Sequence, residues 1–116
     1  VYIYLNKGWA EKNQEAAVAF MRSLKEATEM LNNDRDKAAQ QVSDFLKLDH
    51  ALTVNLMTKL RYDLRLDDGS IENSVRVADQ LKSMGKLAKP MDWQKFIYPD
   101  LLKKVSPDKV NFKLPQ

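Results

Sequence analysis

The chain lacks cysteine, and its 116 residues include one histidine, three glycines and four prolines. The absence of cysteine excludes disulfides, thiolate metal sites and cysteine nucleophiles, although it leaves the cellular compartment open. The single histidine, His50, has no second ligand at metal spacing, so we expect no metal site. No apolar run approaches the roughly 18 residues of a membrane span, so we expect no membrane insertion.

The residues that are present are those of an ordinary globular chain, with 44% hydrophobic and 30% charged residues. The 19 basic and 16 acidic side chains are interspersed, so the net charge of +3 forms no basic patch and we expect no nucleic-acid partner. The length allows at most one domain. Because the chain opens at Val1 without a methionine or an apolar leader, we expect a removed targeting segment or an internal piece of a longer protein.

The first five residues, VYIYL, are β-branched, aromatic or aliphatic. They predict a strand over Val1–Leu5 that is buried on both faces. A single strand cannot satisfy its own backbone groups, and each unpaired buried group costs about 1–3 kcal/mol. We therefore expect this strand to pair with polypeptide outside the chain or with a second copy. On this interpretation residues 1–116 are a single, partial domain that can self-associate through its N-terminal strand.

Apolar spacing and capping residues predict helices over residues 9–105. Asn13 is placed to cap a helix that ends near Leu31. The run Asn32, Asn33 and Asp34 ends that helix and caps the next, and Asp49 is placed to open the one after it. Each of these helices repeats apolar residues at a spacing of three or four, which is typical of one buried face. The predicted buried residues are Ala17, Phe20, Leu24, Ala27 and Leu31, then Ala38, Ala39, Val42, Phe45 and Leu46, then Leu52, Leu56 and Leu60, with Thr53 and Met57 beside the last group.

A charged loop, Arg61–Gly69, precedes a fourth helix that we expect Ser70 to cap. Gly85 is placed to end that helix in the left-handed conformation, which other residues adopt less readily. Asp92 is placed to cap a last short helix, and residues 106–116 are expected to form an extended tail. The predicted fold class is mainly α, with about five amphipathic helices plus one N-terminal strand over residues 1–5.

Several motifs follow one another along the chain, and their order is more informative than any one of them. They are Lys12–Ala16 with Val18–Phe20, Leu24, Ala27, Met30–Asn32, Asp36–Ala39, Phe45–Leu46, Leu48–His50, Leu60–Asp63, Val77–Leu81, Gly85, Pro90, Asp92 and Tyr98–Leu102. This series resembles the C-terminal region of the nitrate/sulfonate/taurine-type periplasmic solute-binding proteins of ABC transporters.

The resemblance implies the C-terminal helical part of a two-lobed α/β periplasmic-binding-protein-like fold, which closes around a small solute and docks on an ABC permease. It implies a binding protein with no cofactor, not an enzyme, located in the periplasm or anchored to the membrane outside the cell. In that fold the N-terminal strand ends at the cleft between the lobes. Tyr4 and Asn6 would then approach the solute, and they are the candidate ligand-binding residues.

Other candidate residues have simpler interpretations. The pair Asp67–Asp68 could suggest a cation site, but negative charge near a helix start is stabilising by itself. Arg61 and Arg65 could hold an anion, but they alternate with aspartates that neutralise them locally. Indole rings beside helix starts usually anchor packing, and this is our interpretation of Trp9 and Trp93.

Two other functions stay open. The same fold resembles that of the pyrimidine-precursor synthases of thiamine biosynthesis, whose catalytic residues would lie before Val1. The chain could also be a free-standing helical interaction module that pairs with a partner through the VYIYL segment.

Overall fold

A computed structural model of the chain describes residues 2–115, and the chain divides into two compact units. The first unit contains the described residues up to Met21 and from Arg65 onward, and the second unit is Arg22–Leu64. The described residues form seven α-helices, one 3-10 helix and two short strands. The prediction of a mainly helical fold is confirmed, whereas the expected number of helices was too low.

The helices in chain order are α1 (Lys7–Lys12), α2 (Gln14–Asn33), α3 (Arg35–Leu46), α4 (His50–Thr58), α5 (Asp68–Ser83), α6 (Trp93–Phe96) and α7 (Asp100–Val105). The 3-10 helix is Pro107–Lys109. The strands β1 (Leu66–Asp67) and β2 (Val110–Asn111) pair in parallel, with Leu66 opposite Val110 and Asp67 opposite Asn111.

The prediction of an N-terminal strand is wrong over Tyr2–Leu5, and Val1 lies outside the described residues. A strand needs a neighbour to satisfy its backbone groups. Within residues 2–115, the described strand pairing joins β1 to β2 instead. The chain then enters α1, which begins two residues before the helical region predicted over residues 9–105, because the Asn6 side chain accepts the Trp9 N–H at 2.9 Å. This arrangement satisfies one of the unpaired donors at the helix start.

The predicted extended tail over residues 106–116 is also wrong in part, and Gln116 lies outside the described residues. Pro107 begins the 3-10 helix, a position that suits its fixed φ angle. The next two residues form β2, and the Lys113 N–H then donates to the Asp68 carboxylate at 2.8 Å. The tail is therefore held by the pairing of β2 with β1 and by a hydrogen bond from its main chain to the Asp68 side chain at the start of α5.

Three predicted N-caps are confirmed. The side chains of Asp34, Asp49 and Asp92 accept backbone N–H groups three residues later, at 3.1, 2.8 and 3.2 Å. The predicted cap of α5 is displaced, because Asp67 and not Ser70 is the capping residue. Asn13 does precede α2 as predicted. However, its side chain donates to the Trp9 carbonyl at 2.9 Å, so it closes the end of α1.

Gly85 ends α5 as predicted, with φ of 67°. The Lys86 N–H donates to the Leu81 carbonyl at 2.8 Å and the Gly85 N–H donates to the Lys82 carbonyl at 3.0 Å. This pair of bonds is the Schellman motif, which satisfies carbonyl groups that a helix end leaves unpaired.

Lys47 adopts the same left-handed conformation after α3, with φ of 57°. A side chain with a Cβ atom is strained there by about 1–2 kcal/mol. We therefore expect Lys47→Gly to raise the free energy of unfolding by about 0.5–1 kcal/mol, after the entropy that glycine loses on folding. Urea unfolding followed by circular dichroism measures the change. Lys47→Ala, which removes the charge and keeps the Cβ atom, is the control and should bring no comparable gain.

The cores of both units are built around small residues. In the first unit Ala10, Ala17 and Leu101 are buried together, with Val18, Met21 and Tyr98 packed against them. In the second unit Ala38, Ala39 and Met57 are buried together, with Leu31, Val42, Val54 and Tyr62 packed against them. Alanine allows helices to approach closely, so much larger apolar side chains are left at the surface.

The predicted buried faces of three helices are wrong in whole or in part. On α4 the structure buries Thr53 and Met57, and it exposes the leucines that were expected inside, Leu52, Leu56 and, just after the helix, Leu60. On α3 it buries Ala38 and Ala39 as predicted but leaves Phe45 85% exposed and Leu46 exposed. Phe20 and Ala27 on α2 are exposed as well. The buried faces of α3 and α4 are the ones on which Ala38 and Ala39 pack with Met57.

Candidate functional site

The candidate site lies in the first unit, where four aromatic rings follow one another at the surface. We call Tyr2, Tyr4, Phe96 and Trp93 the aromatic row. The ring centroids are 6.4 Å apart for Tyr2 and Tyr4, 6.2 Å for Tyr4 and Phe96, and 6.0 Å for Phe96 and Trp93. The planes are tilted or edge-on to each other, which is the geometry that aromatic quadrupoles prefer.

Local sequence explains how each half of the aromatic row forms. Trp93 and Phe96 are three residues apart on α6, whose start is fixed by the Asp92 cap, so their rings share one face of the helix. Tyr2 and Tyr4 are two residues apart in a non-helical segment, and their ring centroids lie 6.4 Å apart. The meeting of the two halves is a tertiary contact, and no sequence pattern indicated it.

Hydrogen bonds anchor the Tyr2 end of the aromatic row to α5. The Tyr2 hydroxyl donates to the Ser70 carbonyl at 3.2 Å and accepts from the Asn73 amide at 2.6 Å. The Arg76 guanidinium donates in turn to the Asn73 side-chain oxygen at 3.2 Å. The row therefore ends at a group of polar side chains, which can orient a solute that has both an apolar and a polar part.

The two predicted ligand-binding residues have different surroundings. Tyr4 lies in the middle of the aromatic row and is 73% exposed, so its ring is available for stacking. Asn6 is exposed too, but its Oδ1 atom accepts the Trp9 N–H in the α1 cap. The structure therefore leaves Tyr4 open to a ligand and gives Asn6 a local structural contact.

The other polar candidates are engaged in side-chain contacts. Arg61 lies 3.2 Å from Asp63, and Arg65 lies 3.3 Å from Asp67, between the charged atoms. His50 is near Asp36, with 3.3 Å between Nε2 and Oδ1. Within residues 2–115 no group of three or more His, Cys, Asp or Glu side chains could hold a metal ion. None of the helices described is both long and apolar enough to cross a membrane.

Asp67 is the titratable group with the clearest structural role near this site. Its Oδ1 atom accepts both the hydroxyl and the backbone N–H of Ser70 at 2.8 Å. These two hydrogen bonds, with a smaller contribution from the Arg65 guanidinium, hold the pKa of Asp67 below its ordinary value of 3.8. The ionised carboxylate thus fixes the start of α5, the helix that carries Ser70 and Asn73.

We expect this cap to make the free energy of unfolding depend on pH in the acidic range. Because the pKa of Asp67 is lower in the folded state, its contribution is complete above the unfolded pKa near 3.8 and is lost as the pH falls through the lower folded pKa. Asp67→Asn cannot ionise, so it should lose less stability than the parent chain between about pH 5 and pH 2. Urea midpoints measured across this range test the effect. Asp79→Asn, an exposed position on the same helix, is the matched control, and equal behaviour of the two variants would contradict the prediction.

No protein-family model, curated protein or solved structure matches this chain.

Proposed function

We propose that this chain is the C-terminal segment of a periplasmic solute-binding protein that delivers a small solute of the nitrate, sulfonate or taurine class to an ABC permease. The observation that carries the proposal is the aromatic row, an exposed face that ends at hydroxyl, amide and guanidinium groups. Such a face can hold a solute by stacking and hydrogen bonds without any chemical step. The order of motifs from Lys12 to Leu102 adds the resemblance to this class.

The exposure of large apolar side chains also supports a segment of a larger receptor. In the first unit Tyr4, Trp9, Phe20 and Phe96 are exposed, whereas the buried cluster around Leu101 contains two alanines. A stable soluble protein rarely leaves so many large apolar groups uncovered without a partner surface. Further polypeptide of the receptor would cover part of this surface and would form the other wall of the solute cleft.

Within this proposal the two candidate residues have separate roles. The Tyr4 ring contacts the solute, because it is the most exposed member of the aromatic row. Asn6 fixes the first turn of α1 through Oδ1, and its amide nitrogen is the group that it can offer to an anionic solute. No catalytic residue and no cofactor belong to this mechanism, which consists of binding and closure of lobes.

Calorimetry tests the proposal on the product of the complete reading frame that encodes this chain. Titration with taurine, nitrate and a short alkanesulfonate should give saturable binding of at least one of them, whereas the isolated 116-residue chain should bind poorly or not at all. Tight binding of a sulfonate by the isolated chain would contradict the assignment, as would absence of binding by the complete product.

Tyr4→Ala in the complete product should weaken binding about tenfold, which corresponds to about 1.4 kcal/mol, because the solute loses the contacts of the exposed phenol ring. Trp9→Ala is the matched control, since Trp9 is an exposed aromatic residue of the same unit outside the aromatic row. An equal loss of affinity in both variants would contradict the assignment of Tyr4 as a residue that contacts the solute.

A further inference from the structure

In the part of the chain that the structure describes, no carboxylate pairs with the guanidinium of Arg76. The side chain is absent from every described ion pair, although Glu72 and Asp79 are each about one turn away on α5. Its described hydrogen bond goes to a neutral acceptor, the Asn73 side-chain oxygen at 3.2 Å. A guanidinium has five N–H donors, so Arg76 can bind a further acceptor without leaving Asn73.

The polar groups at the Tyr2 end of the aromatic row offer hydrogen-bond donors. The Asn73 amide has two N–H groups and gives one of them to the Tyr2 hydroxyl oxygen at 2.6 Å. The hydroxyl proton of Tyr2 is already donated to the Ser70 carbonyl. N–H groups of Asn73 and Arg76 therefore remain at this end. A sulfonate or a carboxylate supplies the acceptors that these donors need, and a guanidinium fork can bind either group in bidentate geometry.

The aromatic row beside these donors suits a ring. Tyr4 is 73% exposed, and its ring centroid lies 6.4 Å from that of Tyr2 and 6.2 Å from that of Phe96, with planes tilted by 46° and 56°. A further aromatic ring against Tyr4 gains quadrupole contacts in addition to buried area. Nitrate has no apolar part to cover these rings, and taurine carries an ammonium group that the Arg76 guanidinium repels.

We propose that the solute is an aromatic anion, a ring that bears a sulfonate or a carboxylate. The ring contacts Tyr4, and the anionic group is bound by the N–H groups of Arg76 and Asn73. This inference rests on the proposed function and narrows its solute class. It also assigns the recognition of charge to Arg76, a residue that no sequence motif indicated.

Calorimetry on the product of the complete reading frame tests the solute class with three probes. Benzenesulfonate has both the ring and the anionic group, methanesulfonate lacks the ring, and benzyltrimethylammonium has the ring with the opposite charge. Benzenesulfonate should bind at least about tenfold more tightly than methanesulfonate, because only benzenesulfonate can contact the aromatic row with a ring. The cation should show no saturable binding.

Two substitutions at exposed positions separate the two halves of the solute. Arg76→Gln should weaken both sulfonates by a similar factor, about tenfold or more, because each loses charge-assisted hydrogen bonds. Tyr4→Ala should weaken benzenesulfonate about tenfold and methanesulfonate much less, so the preference for the ring should largely disappear. Lys82→Gln is the matched control for Arg76→Gln, since it removes an equal charge from an exposed position of α5. It should leave both affinities almost unchanged.

Three results would overturn the inference and leave the proposed function standing. They are binding of methanesulfonate, nitrate or taurine as tight as that of benzenesulfonate, saturable binding of benzyltrimethylammonium beside a sulfonate, and an equal effect of Arg76→Gln and Lys82→Gln. If no sulfonate, nitrate or taurine binds to the complete product, the inference and the proposed function both fail. The two failures are therefore distinguishable.

Discussion

Replacement of Met57 by alanine is expected to lower the free energy of unfolding of the second unit by about 2–5 kcal/mol. Met57 is 5% exposed and is buried with Ala38 and Ala39, with Val54 and Tyr62 packed against the cluster. Its two alanine neighbours have no side-chain atoms that could move into the space left by the methionine. The cost should therefore include a residual cavity as well as the lost burial of the side chain.

Leu56→Ala is the matched control for this substitution. It removes a side chain of similar size from the adjacent position on α4, but Leu56 is 47% exposed. We expect its cost to stay below about 1 kcal/mol. Urea unfolding followed by far-UV circular dichroism, at a protein concentration where the chain is monomeric, measures both variants. If Leu56→Ala were the more costly change, the leucine face of α4 would be the buried one, and the packing of Met57 with Ala38 and Ala39 would be wrong.

The contrast between Met57 and Leu56 also shows that the sequence of one helix does not determine which of its apolar faces is buried. Hydrophobicity alone favours Leu52, Leu56 and Leu60 as the buried face of α4. The structure buries the neighbouring face, on which Met57 packs with the small residues Ala38 and Ala39 of α3. A pattern along one helix cannot contain this information, since the choice depends on the shape of the partner helix.

The helix caps were predictable from the sequence, because each cap is formed within three or four residues. Asp34, Asp49 and Asp92 each accept a backbone N–H three positions along the chain, as the sequence predicted. Gly85 likewise ends α5 in the left-handed conformation. At α5 the prediction missed by three residues, because Asp67 and Ser70 both have capping side chains and they bond to each other.

Features that join distant segments were not predictable. β1 and β2 are separated by more than forty residues and have two residues each, so neither gives a recognisable strand pattern. Conversely, the strong β propensity of the first five residues predicted a strand, but propensity forms no strand without a paired neighbour. The aromatic row belongs to the same class of feature, because Tyr4 and Phe96 meet only in the folded unit.

Leu101→Ala is expected to lower the free energy of unfolding of the first unit by about 2–5 kcal/mol. Leu101 is buried at α7 against Ala10 and Ala17, and it is the largest side chain of that buried cluster. Both tryptophans, Trp9 and Trp93, belong to this unit, so tryptophan fluorescence during urea unfolding reports on it directly. Leu114→Ala, at an exposed position of the same unit, is the control and should cost less than about 1 kcal/mol.

A reciprocal change at Ala17 tests whether the packing of Leu101 with Ala17 accounts for the loss of stability in Leu101→Ala. Ala17→Leu alone should lower the free energy of unfolding by about 1–3 kcal/mol, because the position is completely buried and the added atoms overpack the cluster. Ala16→Leu is the control, since Ala16 is exposed and the larger side chain should be tolerated there. In the double variant Ala17→Leu with Leu101→Ala the added and removed volumes offset each other. We expect its cost to fall below the sum of the two single costs by about 1 kcal/mol or more. Strict additivity would show that the two residues do not share one packed cluster, since side chains that compete for the same space cannot act independently.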